Sequence, residues 1–530
     1  MKKPLLVSLA AAALLTGANV NAASMFDRMT EMETEMKALQ TELAEVKAAK
    51  AAEAEEAAVE ADDEEADADE GEDAEDAVES DDEDADEEDE ENELEEQLTE
   101  LNKRTSGNHL KFGVDFRTSV DNLQYKMADG SKQKNDAIFS NRLWLNMNWA
   151  ATDNLSFTGR LAYNKTYGGR SGVNLQTPQG QFDTFDWIVN QNPNADGIVR
   201  VSSAYFFYRD DSFLGSDIPW TFSIGRRPST NGHLVNLRDD DVASSPMGHS
   251  INVEFDGASA KFSVWEDVGM YFKFCGGRGL TNADAKYTAA PYAETDDVDN
   301  IDLLGLIFVP YDDGQYTIGT QYYYAANLID MNTAGTGFET VGGLHSVTAN
   351  FVVSGIGDEW SDFLDDTTFF ISGAMSITDP DKGSEQGMGG KITSMPGQPL
   401  TFTDDRYDSQ TGYSAWVGLQ FPSLISEDGR WGIEYNYGSE YWRAVTYSED
   451  TLIGSKLAAR GNAYEVYFTE PLIDDIFSFQ VRYTYIDYDY SGSNGFFGSV
   501  TGATNEISKS PSPQIVDTAS DLRAYLRYRF

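Results

Sequence analysis

From Leu110 to the carboxyl terminus, within a barrel region over 105–530, apolar and polar positions alternate with a period of two, the spacing of strands that present a different environment to each face. Leu110, Phe112, Val114 and Phe116 alternate with Lys111, Gly113, Asp115 and Arg117, and Leu143, Leu145, Met147 and Trp149 with Arg142, Trp144, Asn146 and Asn148. Segments of about ten residues with aromatic ends and one apolar face predict an all-β fold, a transmembrane antiparallel barrel. A soluble sandwich also alternates, but its strands are shorter and its apolar faces meet in a core. Sixteen such segments begin near residues 110, 139, 155, 199, 219, 249, 268, 300, 315, 343, 367, 412, 430, 462, 476 and 521. Every second connection is brief and rich in Asp and Gly, as at 151–154, 312–315 and 426–429, whereas the others, near 170–197, 227–248, 279–299, 329–342, 379–411, 443–460 and 491–519, are long. Short periplasmic turns, long outer loops and an even strand number belong together in this class. The turn at Glu266 and Asp267 is the least marked, and the count can slip by two there.

The first hundred residues follow other periods. Lys2 and Lys3 precede an apolar run from Leu5 to Leu15, with small residues up to Ala22. This reads as a signal peptide over 1–22, since the run is too short for the roughly 20 residues that span a bilayer. Met25, Met29, Met32, Met36, Leu39, Leu43 and Val46 then alternate at intervals of four and three, the 3.5-residue period of a coiled coil, here over 23–50. Met-rich core positions leave dimer and trimer both open. Residues 51–93 are almost wholly Ala, Glu and Asp, a composition that stays extended by self-repulsion, so this stretch reads as a disordered acidic spacer. Leu94, Leu98 and Leu101 resume the heptad spacing in a short helical segment over 94–104.

Lys+Arg is 38 against 90 Asp+Glu, a formal charge of −52, and such a chain repels phosphate backbones, which argues against nucleic-acid partners. A single cysteine, Cys275, excludes an intramolecular disulfide and Cys-rich metal sites. The 4 histidines offer little for metal catalysis. No metal site or cofactor is expected beyond loosely bound divalent cations.

The last segment carries the most specific pattern. Leu522, Ala524, Leu526, Tyr528 and the terminal Phe530 form an alternating row that resembles the signal by which outer-membrane barrels are taken up by the barrel-assembly machinery, with Leu526, Tyr528 and Phe530 at its end. A coiled coil joined to a barrel resembles stalked, trimeric porins. The stretches NLSFTGRLAYNKTYG (154–168) and FSIGRRPSTNG (222–232) are similar to a porin-like family of Gram-negative outer-membrane proteins without assigned function. The resemblance implies a homo-oligomer, a trimer, in the lipid bilayer of the outer membrane with its stalk in the periplasm. It supplies no catalytic residues.

If the apolar row meets lipid, the alternate row lines the lumen. That parity turns Lys111, Arg117, Arg142, Arg160, Arg482, Arg523, Arg527 and Arg529 inward, and closure makes their strands neighbours, a basic wall. The competing reading is that these charges pair with acidic neighbours such as Asp115. The third long connection begins at Arg226 and Arg227 and continues through His233, Arg238, Asp239, Asp240 and Asp241. In trimeric porins such a loop folds inward as the constriction, and by that resemblance an acidic loop would face the basic wall across the narrowest point, setting up a transverse field. Otherwise it is a surface loop with Asp-rich turns suited to a divalent cation. Passive diffusion of small hydrophilic solutes or ions is the leading expectation, with no enzymatic activity. An envelope tether or a scaffold for a partner protein stands second. A hydrolase is disfavoured because His249 and Ser250, as strand neighbours, would point to opposite faces.

Overall fold

The structure, a computed structural model, describes residues 111–530 apart from 169–197, 231, 243, 284–288, 295–297, 333–337, 358–359, 392, 394–400, 447–448, 493–504, 510 and 514. The signal peptide, coiled coil with Met25 to Val46, acidic spacer and short helical segment lie outside the described residues.

The strands, in chain order, are β1 (Lys111–Met127), β2 (Lys132–Ala150), β3 (Leu155–Thr166), β4 (Arg200–Asp210), β5 (Trp220–Ser229), β6 (Gly232–His233), β7 (Ser244–Met247), β8 (Val253–Trp265) and β9 (Met270–Leu280). They continue as β10 (Ile301–Asp312), β11 (Tyr316–Met331), β12 (Phe338–Ser354), β13 (Thr368–Pro380), β14 (Thr411–Pro422), β15 (Arg430–Gly438), β16 (Gly461–Ile473), β17 (Phe477–Tyr488) and β18 (Val516–Arg529). Sixteen of them, all but β6 and β7, form one closed antiparallel barrel. The small parallel pair β6 and β7 and the short helix α1 (Val235–Asp239) belong to the connection between β5 and β8.

Closure is completed at the carboxyl terminus. β18 pairs with β1 as well as β17, and Phe530 exchanges two main-chain hydrogen bonds with Val114, of 2.9 and 2.7 Å. Leu526, Tyr528 and Phe530 stand exposed on the outer face, like Phe112, Phe116 and Leu143. The inner row of β1, from Asp115 through Arg117 and Ser119 to Asp121, is buried. The turn at Glu266 and Asp267 is present, a single 3-10 turn that Gly269 ends in the left-handed conformation at φ 64°.

Two expectations about lengths need correction. β1, β2, β11 and β12 run for 17, 19, 16 and 17 residues, well beyond ten. Consequently the connection expected over 329–342 shrinks to the gap between Met331 and Phe338. Main-chain pairing continues past the apolar band because it needs no apolar side chain, so polarity marks the end of the membrane zone and not of the hairpin.

The lumen is also less polar than alternation alone implies. Ile301, Leu303, Ile307 and Val309, the inward row of β10, pack with Val253, Phe255, Tyr323 and Leu344 into the largest buried apolar cluster. Two contacts show how tightly the inner face is shaped: a Cβ on Gly432 would come within 1.9 Å of the Tyr467 ring, and one on Gly305 within 2.3 Å of Tyr323. Glycine there is a slot for the aromatic ring of a neighbouring strand, a recurrent device in curved sheets.

Candidate functional site: the filled half of the lumen

Strand register sets the problem the interior has to solve. Arg142 of β2, Arg117 of β1 and Arg527 of β18 are direct cross-strand partners in one row, and Arg482 of β17 lies opposite Arg523 of β18. Like charges placed opposite one another repel, and buried guanidiniums need acceptors. Among the described residues the acceptors come largely from two connections that turn into the barrel, 230–252 and 439–460.

Asp450, in the connection between β15 and β16, is the centre of the arrangement. Its carboxylate pairs with Arg117 through a close contact and a second hydrogen bond of 2.9 Å, and with Arg523 at 2.9 Å, while Arg142 stands 3.8 Å away. Arg482 donates to the Asp450 main-chain carbonyl at 2.5 Å. Four arginines from β1, β2, β17 and β18 thus converge on one residue. Burial alone would raise the Asp450 carboxyl, but the guanidiniums of Arg117 and Arg523 outweigh it and hold it well below the usual carboxylate range. Arg523 also pairs with Asp121. Asp115 takes Arg527 at 2.5 Å and Arg142 at 3.5 Å.

The connection between β5 and β8 fills the adjoining space. α1 lies against the wall: Gln420 donates to the Leu237 carbonyl, Gln480 to that of Arg238 and Arg527 to that of Asp239. Arg238, 1% exposed, pairs with Glu449 at 3.1 Å and Glu465 at 3.2 Å. Burial would lower its pKa, but these carboxylates together with Asp239 raise it well above the ordinary arginine value. Lys456 completes the cluster between Glu434, at 2.6 Å, and Glu465. The two connections also join each other, for Asn252 N donates to Val445 O at 2.7 Å and Val445 N to Ser250 O at 2.9 Å.

The acidic loop therefore does not face the basic wall across a gap. Asp241 contacts Arg527 at 2.9 Å and Arg529 at 3.1 Å, and Asp240 pairs with Arg430 at 3.4 Å, so the transverse field expected there is replaced by direct ion pairs. Both carboxylates are paired with guanidinium groups; among the described residues no cluster of three metal-ligating side chains occurs. Arg226 and Arg227 are part of β5 and not of the loop: Arg226 pairs with Glu254 at 3.6 Å and Asp256 at 3.4 Å, and Arg227 lies over the Tyr205 ring. His233 sits in β6. Lys111 is exposed at the start of β1, while Arg160 is half-buried against Trp144.

The partners of His249 are not its sequence neighbour Ser250 but residues of β13 and β14. Nδ1 meets Ser372 Oγ and Nε2 meets Ser414 Oγ, both at 2.8 Å, and the ring is wholly buried near Trp416 and Trp442. Burial pushes its pKa down to about 3. A neutral imidazole has one donor and one acceptor, which two hydroxyls satisfy. Both ring nitrogens are occupied and the site is enclosed, so the contacts describe a clamp that pins the inward connection to the wall.

Pairing and packing define a class, the closed sixteen-stranded antiparallel barrel with an apolar exterior and a charged, partly filled lumen. Residues 132–530 match the model of the family described as Protein of unknown function (DUF3373), and the chain belongs to that family. No curated protein matches it. Similar solved structures include OprB of Pseudomonas putida in a high-pH form, at 12% identity over 82% of this chain and 96% of that one, with a TM-score of 0.42. OmpT, an outer membrane protein of Vibrio cholerae, in a trimer form shares 12% identity over 80% and 100% of the two chains, TM-score 0.41. OmpF of Salmonella typhi in complex with daunomycin shares 10% over 80% and 98%, TM-score 0.41.

Proposed function

We propose that this protein is an outer-membrane porin through which small hydrophilic solutes or ions diffuse passively, past a constriction made by inward-folded connections. The observation that carries the reading is the division of the wall: large apolar side chains such as Phe112, Phe206, Phe274 and Leu304 are exposed on the outside, while the inner face over β3 to β9 keeps half-buried polar and charged groups, among them Arg160, Arg227, Lys261 and Lys273. Charged groups half open to solvent on the inside of a closed sheet belong to a water-filled lumen. In this reading the barrel resides in the outer membrane as a homotrimer, the machinery that inserts barrels recognises its final strand, and the coiled coil projects into the periplasm. Reconstitution of the refolded chain in a planar bilayer is the test. Stepwise conductance increments, grouped in threes for a trimer, are expected; a folded barrel that inserts without conducting refutes the proposal.

A second reading has a specific observation behind it. The inward connections bond to β1 and to β11 through β18, an extent of contact suited to a plug, in which case the barrel serves as an envelope tether. Deleting residues 23–102 separates the two: a porin keeps its conductance, whereas a tether loses its envelope phenotype.

A further inference from the structure

The wall arginines on the filled side, Arg117, Arg142, Arg482, Arg523 and Arg527, meet carboxylates, and four cations on the opposite side do not. Arg160 of β3 donates to Asn146 Oδ1 at 2.7 Å and lies over the Trp144 ring at 4.2 Å. Arg227 of β5 donates to Ser223 Oγ at 2.5 Å, and Lys273 of β9 to Ser245 Oγ at 2.5 Å. Lys261 of β8, the direct cross-strand partner of Lys273, stands over Tyr271 at 4.1 Å. Among the described residues none of these four has a carboxylate within ion-pair distance. Nearby acids are engaged elsewhere: Glu254 with Ser202 and Arg226, Asp241 with Arg527 and Arg529, and Asp312, at the end of β10, with Thr317 Oγ1 and the Gly314 amide.

Two further features point the same way. Trp144 is sandwiched between Arg142 at 3.6 Å and Arg160, and its buried Nε1 and the buried Nε of Arg142 have no hydrogen-bond acceptor. Beside β5 and β9 a small cavity has a lining in which Arg227, Ser245, Ser259, Lys273 and Tyr323 supply donors, the rest is largely apolar, and no carboxylate takes part. Unpaired donors next to uncompensated cations are the complement of an anion, because an anion supplies both the acceptor and the countercharge, whereas a neutral solute supplies only the acceptor and a cation neither.

We infer that the β3 to β9 side of the lumen is an anion path, selecting small solutes that carry carboxylate or phosphate groups over cations despite the strongly acidic chain. The inference rests on the porin reading. The charges that set selectivity are those along the narrow path, and not the net charge of the whole chain.

Reversal potentials across a KCl gradient test it. The full chain is expected to show a chloride-over-potassium permeability ratio above one, and Lys261→Glu with Lys273→Glu to bring that ratio below one while channels still open. The single variant Lys273→Gln, which removes one charge with little change of shape, is expected to move the ratio part of the way and serves if the double variant fails to fold. A potassium-preferring channel, or a ratio that neither variant moves, overturns the anion path and leaves the porin standing. A folded, inserted and silent barrel overturns both.

Discussion

Asp450→Asn removes the charge on which four arginines converge while keeping the shape of the side chain. Its consequences can be worked out pair by pair. Arg523 retains Asp121, and Arg142 retains Asp115. Arg482 bonds the Asp450 carbonyl, which the substitution spares. The loss therefore falls on Arg117, whose ion pair is with Asp450 and whose remaining contact is the Tyr525 ring at 5.1 Å. Both partners are at most 5% exposed, so solvent screens the pair little, and stranding one buried charge costs about 3–5 kcal/mol. The lower end applies, since the asparagine oxygen still accepts a hydrogen bond. If the cost is borne by the inward connection, its ratio of displaced to seated forms rises by roughly two orders of magnitude. If it is borne by the whole barrel, the urea midpoint falls instead. Single-channel recordings and urea titration of the same preparation read both outcomes, and the double variant Arg117→Gln with Asp450→Asn should recover most of the loss. Unchanged conductance together with an unchanged midpoint would refute the assignment of Asp450 as the anchor.

Gly432→Ala should lower unfolding stability by about 1–3 kcal/mol through overpacking against Tyr467, read by denaturant titration, and adding Tyr467→Ala should cost less than the sum of the two single changes. His249 has a folded-state pKa lowered to about 3, so its neutral form is favoured by folding: its contribution is whole above the unfolded value of about 6.5 and declines as pH falls from there toward 3. His249→Asn should flatten the fall in stability across that window. Asp450, held well below the usual carboxylate range, keeps its charge through the same window, so its ion pairs should persist from pH 7 to 5, and any change of conductance there should follow His249 and be absent in His249→Asn. Deleting Phe530 removes both main-chain bonds to Val114 and should reduce the yield of closed barrel, followed by heat-modifiable migration on gels.

The wall was legible in the sequence because a period of two is local and a barrel repeats it. The parity of β1 alone placed Asp115 and Arg117 on one face and Phe112 and Phe116 on the other, and the same parity puts Arg142 and Arg523 inside, where the structure has them. The contents of the lumen were not legible in that way. Nothing in the spacing of Asp450 relates it to Arg117, more than three hundred residues away, since a long connection is equally free to fold outward. A signal was present nonetheless: Ile453 and Leu457 are apolar residues within the long connection near 443–460, Trp442 stands just before it, and all three are buried. His249 illustrates the same limit, since its serine partners belong to strands brought near only by closure.

Whether the lumen passes ions is decided by planar-bilayer recording of the refolded full chain beside Asp450→Asn. A conducting channel, with larger or longer openings in the variant, is expected from a lumen narrowed but not sealed by its inward connections. A folded wild-type barrel that stays silent, and a variant equally silent, would contradict that and identify the barrel as a closed scaffold.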